Sequence, residues 1–125
     1  MKTALFIRNA FLNTSSFLSI QQDMEEAAKK QGFLFDCRTN ADFVPPGALE
    51  NLPPVALFWD KDIRLAKLLE HSCLRLLNPA QSIEVCDDKT LTYLSLKDLL
   101  PMPQTLLCPK TFEGLGYGQM EFLDQ

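Results

Sequence analysis

The residues best suited to chemistry lie in three short stretches of mixed charge. The stretch "IRN" ends an apolar run with Arg8 and Asn9, "WDKDIR" follows another run with Asp60 and Lys61, and "CDDKT" carries Lys89. An arginine can clamp a carboxylate, and a lysine where a helix begins can join the backbone amides in binding a phosphate. These residue types are typical of contacts with a small charged substrate.

Each of these residues also has a purely structural interpretation. Arg8 can be an exposed residue at a strand end, which the sequence alone slightly favours. Asp60 can cap the following helix, with Asp62 in the first turn, where the helix dipole favours an acid. For Lys89 two interpretations are equally supported. One of the two preceding aspartates neutralises it, in an exposed ion pair of at most about 1 kcal/mol, or a phosphate binds there.

Apolar runs and helical periodicity predict the elements that position these residues. They predict strands over 3–9, 33–39, 55–60 and 74–78, helices over 15–31, 61–73 and about 88–99, a helical turn from Pro79, and a proline-rich connection over 40–54. Alternating strands and helices indicate parallel strands with right-handed crossovers. We therefore expect an α/β, Rossmann-like fold: a four-stranded parallel sheet with helices on both faces.

The ligand edge of such a sheet is formed by the carboxyl ends of its strands. The polar residues that the sequence places at or near this edge are Arg8, Asn9, Asp36, Asp60, Lys61 and Asn78. We take Arg8, Asn9, Asp60, Lys61 and Asn78 as candidate substrate-binding residues.

The packing of the helices and the connection also follows from the pattern of apolar residues. The first helix should bury a stripe of Phe17, Ile20, Met24, Ala27 and Ala28, with Glu25 on the opposite face. The second helix should turn Leu65, Leu68 and Leu69 inward. In the connection, Phe43, Val44 and Leu49 should hold the chain against the body.

Composition excludes several classes of function. The 125 residues suit one domain, and a net charge of −4 argues against a nucleic-acid partner. Because no apolar window approaches the length of a membrane span, we expect no membrane partner and a cytoplasmic location. The four cysteines lack C-x-x-C spacing and there is one histidine, so we assign no metal ligand and expect mostly buried thiols.

Motifs for nucleotide binding or phosphorylation are also missing. The loop after the first strand has no glycine, so the dinucleotide fingerprint is absent there, and "GLGYG" at 114–118 is better explained as a flexible turn. A receiver-type phosphorylation module would need an acidic pair where Arg8 and Asn9 stand.

A run of ordered residues in the second half resembles the end of the N-terminal domain of ATP-grasp ligases, in particular the branch of the ribosomal-protein glutamate ligases. In that pattern a strand ends in Asn, an Asp-Lys pair starts a helix, and a Pro-x-Pro-x-Thr arm follows. The matching residues are Asn78, Ile83, Asp88, Lys89, Pro101, Pro103 and Thr105. The resemblance is good over 55–112 and holds only at the level of the fold over 1–54.

The resemblance implies that residues 1–100 form a pre-ATP-grasp α/β domain and 101–125 a linker arm and the start of an ATP-grasp domain. ATP would phosphorylate a carboxylate, and an amine would attack the acylphosphate. Lys89 would contact ATP phosphates, whereas the ATP-grasp domain of the same polypeptide would hold ATP and Mg²⁺. We assign no catalytic residue here.

This implied activity belongs to the full-length parent. We expect the chain to be an incomplete, inactive fragment without bound cofactor, with a carboxylate or amine substrate and a possible homodimer. The alternative is a free-standing, non-catalytic α/β module that binds a ligand or a protein at its sheet edge.

Overall fold

The computed structural model describes residues 1–107 and contains one four-stranded parallel sheet in the order β2-β1-β3-β4. The strands are β1 (Lys2–Arg8), β2 (Phe33–Thr39), β3 (Val55–Trp59) and β4 (Arg75–Leu77). The helices are α1 (Ser15–Lys30), α2 (Ile63–His71), α3 (Ala80–Asp87) and α4 (Lys89–Leu96). The predicted fold class, an α/β Rossmann-like sheet, is confirmed.

The two central strands carry the core, as continuous apolar runs predict for strands buried on both faces. In β1 the side chains of Leu5, Phe6 and Ile7 are fully buried, and so are Ala56 and Phe58 in β3. Successive side chains point to opposite faces of a sheet, so each run supplies apolar surface to both helical layers.

Helix α2 covers one face of the sheet. The core on this side joins Leu5, Ile7, Ala56, Phe58 and Leu76 of the strands to Leu65, Ala66 and Leu69 of α2. Leu68 does not join them, since 45% of its surface is exposed, and Ala66 takes the inward position instead. The expectation of an inward Leu68 was therefore wrong: with Leu65 and Leu69 facing the sheet, the residue before Leu69 falls at the rim of the contact.

Helix α1 lies on the opposite face, where an aromatic cluster forms the contact. Phe17 packs on Trp59 with ring centroids 5.5 Å apart, and Trp59 meets Phe6 at 5.9 Å. The helix has no fully buried residue, and Ile20 is 41% exposed, so the predicted apolar stripe is only partly correct. Gln21 and Glu25 face the sheet instead, where Arg8 and Cys37 provide hydrogen-bonding partners.

The connection 40–54 packs on the α2 side of the sheet. Phe43 is buried, and Leu49 and Leu52 pack against the core. Val44 is 82% exposed, which corrects its predicted role in anchoring the connection. The connection starts in a short 3-10 turn, where Asp42 accepts hydrogen bonds from the backbone N–H and hydroxyl of Thr39 at 2.6 and 2.9 Å. These bonds lower the pKa of Asp42.

Within residues 1–107 no helix has the length and apolar character to cross a membrane. The predicted turn at 114–118 and Cys108 lie outside the described residues.

Candidate functional site

The carboxyl ends of β1 and β3 lie at the topological switch point of the sheet. From β1 the chain crosses to β2 on one side, and from β3 it crosses to β4 on the other. The connecting helices leave on opposite faces and a crevice opens between the strand ends, which is where open α/β sheets bind their ligands. Asn9 follows β1 and Asp60 follows β3, so both residues stand at this crevice.

A hydrogen bond joins the two strand ends across the switch point. The side-chain amide of Asn9 donates to the Asp60 carboxylate, at 3.2 Å to Oδ1 and 3.4 Å to Oδ2. The residues are 51 positions apart in sequence. The side-chain oxygen Oδ1 of Asn9 accepts from the backbone N–H of Phe11 at 2.9 Å, and the N–H of Ala10 donates to Asn40 Oδ1 at 2.9 Å. The loop after β1 is therefore fixed to its surroundings.

Asp60 does not cap α2, contrary to the structural interpretation made from the sequence. Its Oδ1 accepts from the backbone N–H of Lys61 at 2.7 Å, and the cap is Asp62, which accepts from the N–H of Leu65 at 2.9 Å. The chain needs two residues to turn from the strand into the helix, so the second aspartate reaches the capping position. Asp60 is thereby left at the crevice.

The crevice has a volume of about 620 Å³, within the range of small-molecule sites. Its polar lining consists of Asn9, Asp60, Lys61 and Asn78, and its apolar lining includes Phe11, Phe17 and Trp59. A second hollow of about 330 Å³ shares Asp60, Lys61 and Asn78 and extends towards α3. Four of the five predicted substrate-binding residues are thus brought together at one place.

Asn78 closes the crevice at the end of β4. Its φ of 70° lies in the left-handed region, which asparagine tolerates better than most residues. Its side-chain amide donates to the backbone carbonyl of Phe58 at 3.2 Å. The bond ties the ends of β3 and β4 together and leaves the Asn78 side-chain oxygen as an acceptor.

Arg8, the fifth candidate, does not line the crevice. Its guanidinium donates to Gln21 Oε1 at 2.8 Å, to the carbonyl of Leu12 at 2.9 Å and to that of Asn9 at 3.3 Å. Arg8 therefore braces the loop between β1 and α1. Asp36, also predicted near the edge, forms an ion pair with Arg38 at 2.7 Å on strand β2.

Two ion pairs join α2 and its preceding turn to α3. Lys61 pairs with Asp87, and Lys67 pairs with Glu84 at 3.0 Å. The Lys61 side chain is therefore already engaged with a carboxylate where it borders the crevice. The partners are substantially exposed, so each pair contributes little to stability.

Lys89 is the first residue of α4, as the sequence predicts, and it lies outside the crevice lining. Its two neighbouring carboxylates are engaged elsewhere: Asp87 with Lys61, and Asp88 with the N–H groups of Thr90 and Leu91 at 2.8 and 3.1 Å. Among residues 1–107 no ion pair includes Lys89. Because Asp88 already caps two of the amides, any anion at this helix start would meet mainly the Lys89 ammonium.

Comparison with known proteins adds one relative. The chain is 30% identical over 126 aligned positions to the "Uncharacterized protein MG012 homolog" of Mycoplasma pneumoniae. The alignment takes in 93% of this chain and 43% of that protein, so the chain spans less than half of the length of this curated relative. No family model matches the sequence, and no solved structure matches it.

The described part of the chain offers no metal centre. No three His, Cys, Asp or Glu side chains lie close enough within residues 1–107 to hold an ion. Cys37, Cys73 and Cys86 are exposed, which corrects the expectation of mostly buried thiols. Partial desolvation, a hydrogen bond to Glu25 and the nearby charge of Glu25 raise the pKa of the Cys37 thiol to about 12, so this exposed thiol is a poor nucleophile.

The aromatic wall of the crevice could not be recognised from the sequence. Phe11 is 88% exposed at its mouth, and Trp59 and Phe17 form its side. Phe11 lies in a loop and Phe17 and Trp59 occupy regular elements, so the pattern predicted two of them as core. The one available signal was Trp59 next to Asp60 at a strand end.

Proposed function

We propose that this chain is the N-terminal, substrate-side domain of an ATP-dependent carboxylate–amine ligase of the ATP-grasp family. The observation that carries the proposal is the crevice at the switch point of the sheet. There the polar ends of β1, β3 and β4 converge on a volume of the right size for a small substrate. In this role the domain binds and orients a substrate, and its strand ends fix the geometry.

The order of residues after β4 supports the same proposal. Asn78 ends the strand, α3 follows, Asp88 caps α4 and Lys89 begins it, and residues 101–107 have no regular secondary structure. This order is that of the ligase resemblance. In such an enzyme the exposed Lys89 ammonium would reach a phosphate of ATP by its side chain, since Asp88 occupies the amides of Thr90 and Leu91.

ATP and Mg²⁺ would be held mainly by the remainder of a longer protein. The described residues do not fit a magnesium site, because no acidic cluster is present among them. When bound, ATP supplies the phosphoryl group that activates the carboxylate. The mycoplasma relative, of which this chain spans 43%, supports the proposal that the domain functions within a longer polypeptide.

The test measures ADP release by the polypeptide of the complete reading frame, with panels of carboxylates and amines. We expect release that requires one compound from each panel. Lys89→Ala should raise the KM for ATP about tenfold, as loss of one hydrogen bond between charged groups implies. Lys97→Ala is the matched control, because Lys97 is exposed at the other end of the same helix.

Two results would contradict this assignment. An unchanged KM for ATP in Lys89→Ala would remove Lys89 from the nucleotide site. If no pair of substrates releases ADP while the crevice still binds a small molecule, the chain is a non-catalytic α/β binding module.

A further inference from the structure

The crevice presents the negative charge of Asp60, because the groups that donate to this carboxylate are neutral. Within residues 1–107 the Asp60 carboxylate accepts only from neutral groups, the Asn9 side-chain amide and the backbone N–H of Lys61. No ion pair within residues 1–107 includes Asp60. A carboxylate bordering a pocket, with only neutral donors around it, retains capacity for a cation.

The basic side chains closest to Asp60 in the sequence and at the strand ends are engaged elsewhere. Lys61 pairs with Asp87. Arg8 is bound to Gln21 and to two backbone carbonyls under the loop after β1. The crevice therefore presents the Asp60 charge and the Asn78 side-chain oxygen as acceptors. An anionic ligand would compete with Asp87 for the Lys61 ammonium.

The aromatic wall also favours a cation. Trp59 and Phe17 pack with centroids 5.5 Å apart beside the polar strand ends, and Phe11 is exposed at the mouth. Aromatic faces attract ammonium groups, most strongly in tryptophan, and they also cover an apolar body. A ligand with an ammonium head and an apolar body would complement both sides of the crevice.

We propose that the crevice binds an organic ammonium ion: an amine carried on an apolar or aromatic body. The ammonium is placed against Asp60 and Asn78, and the body lies along Trp59 and Phe17. This inference deepens the proposed function, on which it rests, by assigning the crevice to the amine substrate and not to the carboxylate.

Trp59 makes the inference directly measurable. It is the only tryptophan of the chain and it lines the crevice, so intrinsic fluorescence reports on occupancy. The probes are phenethylamine, 3-phenylpropionate and 2-phenylethanol, which share a phenethyl body and differ in the charge of the head group. At neutral pH we expect a saturable change with phenethylamine, at a Kd about tenfold below those of the other two probes.

Two variants test which charges are responsible. Asp60→Asn preserves the shape of the side chain and removes its charge. It should therefore raise the Kd for phenethylamine about tenfold and leave the Kd for 2-phenylethanol unchanged. Asp87→Asn frees the Lys61 ammonium, so it should raise the Kd for phenethylamine and lower the Kd for 3-phenylpropionate. Asp23→Asn is the control: it removes an exposed carboxylate of α1 that does not line the crevice, and should change neither Kd. Circular dichroism establishes that each variant is folded.

The outcomes separate this inference from the proposed function. A preference for 3-phenylpropionate, an unchanged amine Kd in folded Asp60→Asn, or the absence of any fluorescence response to the three probes overturns the ammonium site. If phenylpropionate binds best and the complete reading frame still releases ADP, the ligase proposal survives with the carboxylate in the crevice. If phenethylamine binds as expected and no ADP is released, the ammonium site stands and the ligase proposal fails.

Discussion

Two consecutive leucines of α2 provide a sharp test of how this helix faces the sheet. Leu69 is fully buried in the core, whereas Leu68 is 45% exposed. Changing each to alanine removes the same atoms from the same helix, one residue apart. Because α2 begins just after Asp60 and Lys61, its rotation about its own axis also determines how these two residues meet the crevice.

The expected magnitudes follow from burial. Leu69→Ala loses a fully buried side chain and leaves a cavity, so the free energy of unfolding should fall by about 3 kcal/mol, within the range measured for buried leucines. Leu68→Ala loses about half of the transfer free energy of a leucine and leaves no enclosed cavity, which gives about 1 kcal/mol. Alanine is also the better helix former, which reduces the second effect further. The two variants should therefore differ by about 2 kcal/mol.

Urea unfolding followed by Trp59 fluorescence measures this difference, since Trp59 packs against Phe6 and Phe17 in the folded chain. With a slope of about 2 kcal/mol per molar urea, the midpoints of the two variants should lie about 1 M apart. Equal destabilisation, or a larger effect for Leu68→Ala, would refute the helix orientation. The position of Lys61 relative to the crevice would then need revision as well.

Three further predictions concern single contacts. Asp62→Ala removes the cap of α2 and should lower the free energy of unfolding in urea by about 1 kcal/mol, whereas Asp62→Asn should retain most of this stability. An alanine variant as stable as the wild type would contradict the assigned cap. Gly32→Ala should destabilise by about 1 kcal/mol in the same assay, because φ is 80° and no atom lies within 4 Å of the added Cβ, so only backbone strain acts. At about pH 8.5, the ordinary pKa of a thiol, iodoacetamide should alkylate Cys37 at least about tenfold more slowly than free cysteine, because the pKa of Cys37 is raised to about 12. Glu25→Gln should accelerate that reaction, and an unchanged rate would exclude Glu25 as a cause.

The architecture could be predicted from the sequence because it depends on features with a definite period. Continuous apolar runs gave both central strands to within one residue at each end, and the helical repeats gave α1 and α2. Parallel strands present their carboxyl ends at the same edge of a sheet, so Asn9, Asp60 and Asn78 could be placed near one another without coordinates.

The orientation of side chains on α1 could not be predicted in the same way. Apolar spacing favoured Ile20 as an inward residue, but Gln21 faces the sheet because the Arg8 guanidinium at the end of β1 needs an acceptor there. Glu25 also faces the sheet and not the outer surface of the helix. Its carboxylate accepts hydrogen bonds from the Cys37 thiol at 3.2 Å and from the Gln21 side-chain amide at 2.7 Å. When several apolar residues of a helix could face the sheet, polar contacts with distant segments thus decide which face of the helix turns inward.

The chemistry of the crevice depends on the same kind of contact. The sequence places two cations, Arg8 and Lys61, and two anions, Asp36 and Asp60, at or near the strand ends, and so leaves open whether the site prefers a carboxylate or an amine. In the structure Arg8 is held by the loop after β1, and Lys61 is held by Asp87 from α3. Within residues 1–107 Asp60 keeps only neutral donors, so contacts between distant segments determine which charge the crevice presents. Because Asp87 lies 26 residues after Lys61, their pairing depends on the fold and could not be predicted from the local sequence. Substitution of Asp87 is therefore the change that should free Lys61 and shift the preference of the crevice away from an ammonium and towards a carboxylate.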